Sequence, residues 1–173
     1  MDIRVKPRRI RMLLSSLLAV PIAALLILTT ATSASAHYVY AQDEVWANAD
    51  STKCLYTYAE VSHGDGGGYT KTQANAGRDL YCIMPWKRLP GDLAAKYEYY
   101  KWDGADWYVC ALIGEWQYSS FESGQYTLSW NFGVAPPCGG GYYGTTGYTS
   151  VQYGGDWYGW NVGIWSGFHY IEP

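Results

Sequence analysis

The stretch KYEYYKWDGADWYVCALI, residues 96–113, decides the fold class of this chain. Two runs of aromatic and β-branched residues, 96–102 and 107–113, flank the short polar insert DGAD, which contains a glycine. Strand-forming runs joined by such an insert predict a β-hairpin. A second hairpin is predicted near the C-terminus, where residues 149–153 and 157–164 flank Gly-Gly-Asp.

Outside the two hairpins, the chain also has the pattern of short strands. Residues 54–61 alternate strictly, which predicts that one face of this strand carries Leu55, Thr57, Ala59 and Val61. Further strands are expected at residues 69–74, 80–86, 115–118, 126–132 and 163–170, the last with a bulge or turn at Ser166-Gly167. The one weak helical signal lies at residues 93–95, and the alternative is that these residues lead directly into the central hairpin. The predicted fold is therefore all-β: one antiparallel β-sandwich or barrel-like domain of aromatic hairpins.

Residues 1–36 have the order of a secretory signal peptide. Five basic residues precede an apolar run at 12–28, and Ala34-Ser35-Ala36 has the small-x-small form that signal peptidase cleaves. The run contains Pro21 and is shorter than the roughly 20 apolar residues that a membrane span needs. We expect cleavage after Ala36 and a single domain over residues 37–173, which works outside the cell as a monomer.

Removal of the signal leaves an acidic domain. Five of the 12 basic residues and one of the 15 acids lie in the signal, so residues 37–173 keep seven basic residues and 14 acids. The net charge of about −7 repels nucleic acid and anionic membranes. Neither is expected as a partner.

The four cysteines lie 28 residues apart along the chain, at Cys54, Cys82, Cys110 and Cys138. An even number of cysteines in a secreted domain indicates two disulfides. Zinc sites use close pairs such as C-x-x-C, which are absent, and no metal or cofactor is expected. Of the three possible pairings we favour Cys54–Cys82 with Cys110–Cys138, because sequential strands usually lie side by side.

The aromatic residues are the most informative feature for function. All 9 Trp, 18 Tyr and 3 Phe follow residue 36, and with so few aliphatic residues most of these rings are expected to form the core. A few rings beside turns are expected to stack on sugar rings while neighbouring polar groups bind the hydroxyls. The candidate binding residues are Trp102, Asp106, Trp107, Asp156, Trp157 and Trp160. Further candidates of the same kind are Asp103, Tyr158, Asn161 and Trp165.

Catalytic signals are weak. Glu60, His63 and Asp65 flank a glycine-rich loop and are of the types that act as acid, base or metal ligand, but charged residues beside such a loop are usually solvated. Glu115 lies beside Trp116, and an exposed carboxylate at a strand end is the simpler interpretation. The motif G-x-S-x-G is absent, and paired cysteines leave no thiol nucleophile. No catalytic residue is assigned.

Four phrases occur together: VSHGDGGGY, DWYVC, PPCGGGYYGT and WSGFHY. With these phrases, nearly all of residues 37–173 resembles small secreted proteins of actinobacteria. The resemblance implies secretion and a self-contained domain, and it implies no activity and no site residues.

Taken together, these features predict a secreted protein without catalytic activity that binds a carbohydrate or cell-wall polymer. Two alternatives stay open. An extracellular inhibitor or toxin-like effector would present an exposed apolar or charged loop to a protein partner. A small hydrolase would bring two carboxylates, or a histidine and a carboxylate, together in a cleft.

Overall fold

The computed structural model describes residues 37–64, 67–133, 136–159 and 163–172. These residues form ten β-strands: β1 His37–Trp46, β2 Lys53–Gly64, β3 Gly67–Arg78, β4 Met84–Pro85, β5 Leu93–Trp102, β6 Trp107–Tyr118, β7 Gln125–Asn131, β8 Gly141–Tyr153, β9 Asp156–Tyr158 and β10 Gly163–Ile171. In the described residues no helix is long and apolar enough to cross a membrane. The predicted signal at residues 1–36 lies outside them.

The strands form two antiparallel sheets that pack face to face. The first sheet has the order β1-β2-β3, and both β4 and β7 pair with β3. The second sheet has the order β10-β8-β5-β6, with the short β9 beside β8. Strands of the first sheet contact β8, β5 and β10 of the second. The all-β prediction is confirmed, and the architecture is sandwich-like rather than a closed barrel.

The central hairpin is confirmed. Strands β5 and β6 pair from Trp102 opposite Trp107, and residues 103–106 form the turn. In that turn Gly104 has a φ of +108°, which a residue with a side chain rarely adopts. The second hairpin is tighter than predicted, since Tyr153 pairs with Asp156 across Gly154-Gly155, and its second arm ends at Tyr158.

One local prediction was wrong. The strand expected at 80–86 shrinks to β4, because the chain turns before it: Asp79 and Cys82 have positive φ, the N–H of Cys82 donates a hydrogen bond to the carbonyl of Asp79, and the disulfide holds Cys82 against Cys54. Residues 115–118 are strand as predicted, but they continue β6 rather than form a separate strand. Of the two interpretations of residues 93–95, the structure shows the second: they open β5, and their backbone pairs with β6 and β8.

Both predicted disulfides are present, Cys54–Cys82 and Cys110–Cys138, each spanning 28 residues. The first ties β2 to the segment before β4. Gly77 packs against this disulfide so closely that a Cβ there would lie 2.7 Å from Sγ of Cys82. The second ties the middle of β6 to the segment before β8.

The interior of the sandwich is narrow and partly polar. As predicted, the alternate residues Leu55, Thr57, Ala59 and Val61 of β2 are fully buried. Midway along the core, Thr57 and Thr149 share a hydrogen bond of 2.6 Å across the two sheets, and Thr70 and Thr145 share one of 2.7 Å. These four buried hydroxyls thus satisfy one another in pairs across the interior.

The expectation that most aromatic rings form the core was wrong. Of the aromatic side chains that the structure describes, the buried ones are Tyr97, Tyr99 and Tyr143. Tyr99 stacks on Tyr143 at 4.8 Å between ring centroids. Beyond this end of the core the sheets approach closely: a Cβ atom on Gly147 would lie 2.8 Å from Oγ1 of Thr72 and 2.9 Å from Cβ of Ala59, which leaves no space for a large ring. Most other rings lie on the outer faces of the sandwich.

Candidate functional site

The outer face of the second sheet carries a group of aromatic side chains in mutual contact. Along β5, Tyr97 and Tyr99 point into the core, so the alternate side chains of Glu98, Tyr100 and Trp102 point outward. Four neighbouring strands, β10, β8, β5 and β6, each contribute outward rings at the same end of this sheet. We call this group the aromatic patch, and its members are Tyr100, Trp102, Trp107, Tyr142, Trp165, Phe168 and Tyr170.

The rings of the aromatic patch form one connected surface. Trp107 is at its centre, with ring centroids 5.5 Å from Trp102, 5.0 Å from Trp165 and 6.1 Å from Phe168. The ring of Phe168 in turn lies 5.7 Å from that of Tyr142. Tilted and edge-on contacts at these distances are the favoured geometries of aromatic pairs. The patch is therefore packed and pre-formed.

A β-bulge brings Trp165 and Phe168 to the same face. Residues three apart in a regular strand point to opposite sides of a sheet. Here Trp165 pairs with Thr146 and Phe168 with Gly144, so β10 has one extra residue between them. Gly167 absorbs the bulge with a φ of +85°. The bulge predicted at Ser166-Gly167 is confirmed, and it builds the patch.

Gly144 gives Trp165 its place on the sheet. A Cβ atom on Gly144 would lie 2.1 Å from Cη2 of Trp165, which shows that the indole ring lies directly over the bare backbone of β8. From there the indole meets Tyr100 edge-on at 5.8 Å between centroids. One missing side chain on β8 thus admits a tryptophan from β10.

The aromatic patch encloses an open groove of about 340 Å³, lined by Trp102, Trp107, Tyr142 and Phe168. Its wall is mostly carbon, and Phe168 is 57% exposed. The volume falls within the range of small-molecule sites. Exposed planar rings around such a groove suit the apolar face of a sugar ring.

Carboxylates lie at the rim of the patch, in the turn between Trp102 and Trp107. Asp103 Oδ1 accepts hydrogen bonds from the backbone N–H groups of Ala105 and Asp106, both at 2.8 Å, and these bonds hold the pKa of Asp103 below its usual value. The carboxylate of Asp103 therefore stabilises the turn. Asp106 is exposed beside the patch and is the carboxylate that can meet a hydroxyl of a ligand.

The structure separates the predicted binding residues into two groups. Trp102, Asp106 and Trp107 lie together at the aromatic patch, whereas Asp156 and Trp157 lie at the opposite end of the second sheet. Trp157 is paired with Gln152 of β8, ten residues from Tyr142, a distance of about 30 Å along a strand. Its ring contacts Tyr118 at 5.7 Å. Trp160 and Asn161 fall outside the described residues.

Polar and aromatic groups connect the two ends of this face. The carboxylate of Glu98 accepts hydrogen bonds from the hydroxyls of Tyr100, at 2.7 Å, and Tyr148, at 3.0 Å. Next along the sheet, Nζ of Lys96 lies 4.9 Å from the ring centroid of Tyr148 and 5.3 Å from that of Trp116. The face is thus aromatic along its length, with charges held between the rings.

Sequence reasoning missed four members of the aromatic patch: Tyr100, Tyr142, Phe168 and Tyr170. Period-two alternation from Trp102 predicts an outward Tyr100, and this signal was available. Tyr142 and Phe168 come together only because β10 pairs with β8, and no local pattern shows that pairing.

The suspected group of Glu60, His63 and Asp65 does not form. Glu60 and His63 are three apart on β2, so their side chains lie on opposite faces of the first sheet. Asp65 lies outside the described residues. Glu115 is exposed on β6, in the interior of the strand rather than at its end.

Glu60 is not solvated, contrary to the expectation for a carboxylate near that loop. It is 3% exposed and forms an ion pair of 2.8 Å with Lys71. The hydroxyls of Tyr58 and Tyr69 donate hydrogen bonds to the same carboxylate. Burial raises the pKa of Glu60, but these three donors outweigh it and hold the pKa below its usual value. Burial and the bond to Glu60 raise the pKa of Tyr69 to about 12.

We expect Glu60→Gln to lower the free energy of unfolding by about 2 kcal/mol at pH 7, since it removes charge-assisted bonds from a buried site. The folded pKa lies below the unfolded value, so the carboxylate stabilises the fold above the unfolded pKa, and this stabilisation is lost as pH falls through the folded pKa. Urea unfolding of the wild type and Glu60→Gln at several pH values from 7 to 3 measures the difference in their free energies of unfolding. That difference should disappear in acid.

Glu44→Gln, which changes an exposed carboxylate on β1, is the control and should change stability little at any pH. A gap between wild type and Glu60→Gln that stays constant down to pH 3 would contradict the stabilising role of the charge.

No family model, curated protein or solved structure matches this chain. No relative therefore supplies an activity or a ligand, and the geometry of the aromatic patch is the basis for assigning a function.

Proposed function

We propose that the protein is a secreted, non-catalytic binding protein whose aromatic patch binds an extracellular carbohydrate. The observation that carries the proposal is the groove between Trp102, Trp107, Tyr142 and Phe168, in which exposed rings stand around a space of about 340 Å³. Both faces of a pyranose ring present C–H groups, and aromatic rings bind such apolar surfaces. Asp106 at the rim supplies an acceptor for sugar hydroxyls.

The charge of the domain narrows the ligand class. With seven basic residues against 14 acids after residue 36, the protein repels acidic polymers. A neutral polysaccharide, such as cellulose, chitin or unsubstituted xylan, therefore fits better than an anionic cell-wall polymer. The two disulfides support a site of action outside the cell, since such bonds persist in oxidising compartments.

The direct test is depletion of the purified protein by insoluble cellulose, chitin, xylan and peptidoglycan. One polymer should deplete the protein saturably, and Trp107→Ala should weaken that binding at least tenfold, because Trp107 contacts three other rings of the patch. Trp157→Ala, about 30 Å away on the same sheet, is a matched control and should bind as wild type.

Tyr40→Ala removes a ring from the outer face of the first sheet and is the second control. The proposal fails if no polymer depletes the protein, or if Trp107→Ala binds as well as the two controls do.

A protein partner is the second candidate, and an exposed apolar loop favours it. Between β3 and β5, this apolar loop exposes the side chains of Leu80, Tyr81, Ile83, Met84 and Leu89. Tyr81 is 75% and Ile83 73% exposed, and the Cys54–Cys82 disulfide anchors the segment between them. A groove of about 350 Å³ lies beside the loop, lined by Ile83 and Met84 of the loop and by Gly124, which precedes β7. A disulfide-anchored apolar loop is suited to insertion into the cleft of an extracellular enzyme, as an inhibitor requires.

Titration against secreted proteases measures the inhibitor function directly. If the apolar loop inhibits, Ile83→Asp abolishes the inhibition while Trp107→Ala does not affect it. The two candidate functions thus depend on different residues at different ends of the molecule.

A further inference from the structure

We propose that the carbohydrate site continues beyond the aromatic patch, along the outer face of β5, and that its ligand is an extended β-linked polysaccharide chain lying along the strands. The extension, which we call the polar track, consists of Lys96, Glu98, Trp116 and Tyr148, and it adjoins the patch at Tyr100. The extension rests on the proposed function and specifies the form of the ligand.

The polar track and the aromatic patch form one surface along a strand. On β5 the outward residues run from Trp102 to Lys96, at every second position. The register of β5 and β8 places Tyr148 directly beside Lys96. From Lys96 to Trp102 the strand covers about 20 Å, at roughly 3.3 Å per residue. A surface of this length accommodates several linked pyranose units.

A second glycine keeps this surface low, as Gly144 does beneath Trp165. A Cβ atom on Gly163 would lie 2.5 Å from Cε1 of Tyr148, so the phenol ring lies over the bare backbone of β10. Two rings thus lie on the sheet instead of projecting from it. A low surface of this kind contacts a ligand along the length of a chain.

Glu98 supplies a hydrogen-bond acceptor in the polar track. Its Oε2 atom accepts the hydrogen bonds from the hydroxyls of Tyr100, at 2.7 Å, and Tyr148, at 3.0 Å. These two bonds fix the orientation of the carboxylate. The Oε1 atom accepts no hydrogen bond from the residues that the structure describes. It can therefore accept one from a sugar hydroxyl, and bonds to a charged acceptor are among the strongest.

Lys96 supplies the matching donor, two positions along the strand. Its Nζ lies 4.9 Å from the ring centroid of Tyr148 and 5.3 Å from that of Trp116. The described part of the chain offers this ammonium group no carboxylate within ion-pair distance. Lys96 and Glu98 together give the polar track one positive and one negative charge. A net charge of zero is complementary to an uncharged polymer.

The shape of the surface decides between classes of neutral polysaccharide. Equatorial β-linkages hold a chain in an extended ribbon, whereas α-linked glucans coil into helices. A ribbon can follow a surface of about 20 Å and place its hydroxyls beside Lys96 and Glu98 while its ring faces lie on aromatic rings. A coiled chain leaves such a surface after a short contact. The geometry therefore favours cellulose, chitin or xylan over starch-like polymers.

The test compares disaccharides with tetrasaccharides of the cello, chito and xylo series, by titration calorimetry on the purified protein. In at least one series the tetrasaccharide should bind at least tenfold more tightly, because the disaccharide fills only part of the surface. Lys96→Met keeps the hydrocarbon stem and removes the donor, and Glu98→Gln removes the charge of the acceptor. Each should weaken tetrasaccharide binding about tenfold and leave disaccharide binding unchanged. Maltotetraose, an α-linked probe, should not bind.

Lys87→Met makes the same chemical change at an exposed lysine between β4 and β5, away from the second sheet. This matched control should bind both lengths of sugar as the wild type does. Far-ultraviolet circular dichroism checks that all three variants keep the β fold.

Equal affinity for the two lengths would overturn the extension, as would tetrasaccharide binding that both Lys96→Met and Glu98→Gln leave intact. In either case disaccharide binding that is lost in Trp107→Ala would leave the proposed function standing. Maltotetraose binding as tight as that of cellotetraose would overturn the assignment of an extended β-linked chain. Polymer depletion without tetrasaccharide binding would overturn the extension alone, whereas the absence of both would overturn the proposed function and the extension together.

Discussion

Removing the Cys110–Cys138 disulfide, by the double substitution Cys110→Ala and Cys138→Ala, is expected to lower the free energy of unfolding by about 3.5 kcal/mol. The closed loop spans 28 residues, and the loop-entropy model gives this magnitude for a loop of that length. The bond also holds the segment before β8 against β6. Chemical denaturation of the variant and the wild type measures the difference.

The Cys54–Cys82 disulfide is the natural comparison, because its loop has the same length. If chain entropy alone decides, both double variants lose equal stability. Cys54 is fully buried and Gly77 packs against the disulfide. We therefore expect removal of Cys54–Cys82 to lower the free energy of unfolding more than removal of Cys110–Cys138 does. A loss below 1 kcal/mol for either pair would contradict the stabilising role of that disulfide.

Gly144→Ala is expected to weaken binding to the polymer that retains the wild type by about tenfold, with the β fold intact. The added Cβ would overlap Trp165 Cη2 and would lie 2.6 Å from the backbone oxygen of Gly167, so the indole and the bulge of β10 must both shift, and the indole loses its contacts with Trp107 and Tyr100. Trp165 supports the central ring of Trp107, and loss of such packing at a binding surface typically costs more than about 1 kcal/mol of binding energy. Polymer depletion measures the affinity.

Near-ultraviolet circular dichroism reports the displaced indole whether or not a polymer binds, and its aromatic signal should change in Gly144→Ala. Gly114→Ala is the matched control on β6, since its Cβ would meet only the end of the exposed side chain of Leu112. Its spectrum and its binding should match those of the wild type. An unchanged spectrum in Gly144→Ala would show that the indole of Trp165 keeps its place, which would contradict the prediction.

The features that the sequence predicted correctly are local ones. The turn between Trp102 and Trp107, the alternation along β2 and the bulge at Ser166-Gly167 each depend on a few neighbouring residues. The cysteine pairing followed the same logic, because each disulfide joins segments close in sequence. Local conformational preferences are enough to fix such features.

The features that the sequence did not predict depend on which strands pair or pack across the core. The aromatic patch needs β10 beside β8, and the contact of His63 with His169 needs β10 against β2. The aromatic composition led to the wrong prediction that most rings form the core. The number of rings carries no information about how closely two sheets with small inward residues can pack. The strand expected at 80–86 is short because the Cys54–Cys82 disulfide and the turn at Asp79 and Cys82, both with positive φ, override the β propensity of residues 80–83.

The two threonine pairs inside the core act as an alignment device for the whole sandwich. An interior of aliphatic groups tolerates small sliding of one sheet over the other, since such contacts have no direction. The pairs Thr57–Thr149 and Thr70–Thr145 do not tolerate such sliding. A shift of one pleat would leave four buried hydroxyls without hydrogen-bond partners, at a cost of about 1–3 kcal/mol each. They select one translation between the sheets, and that same translation sets His63 against His169.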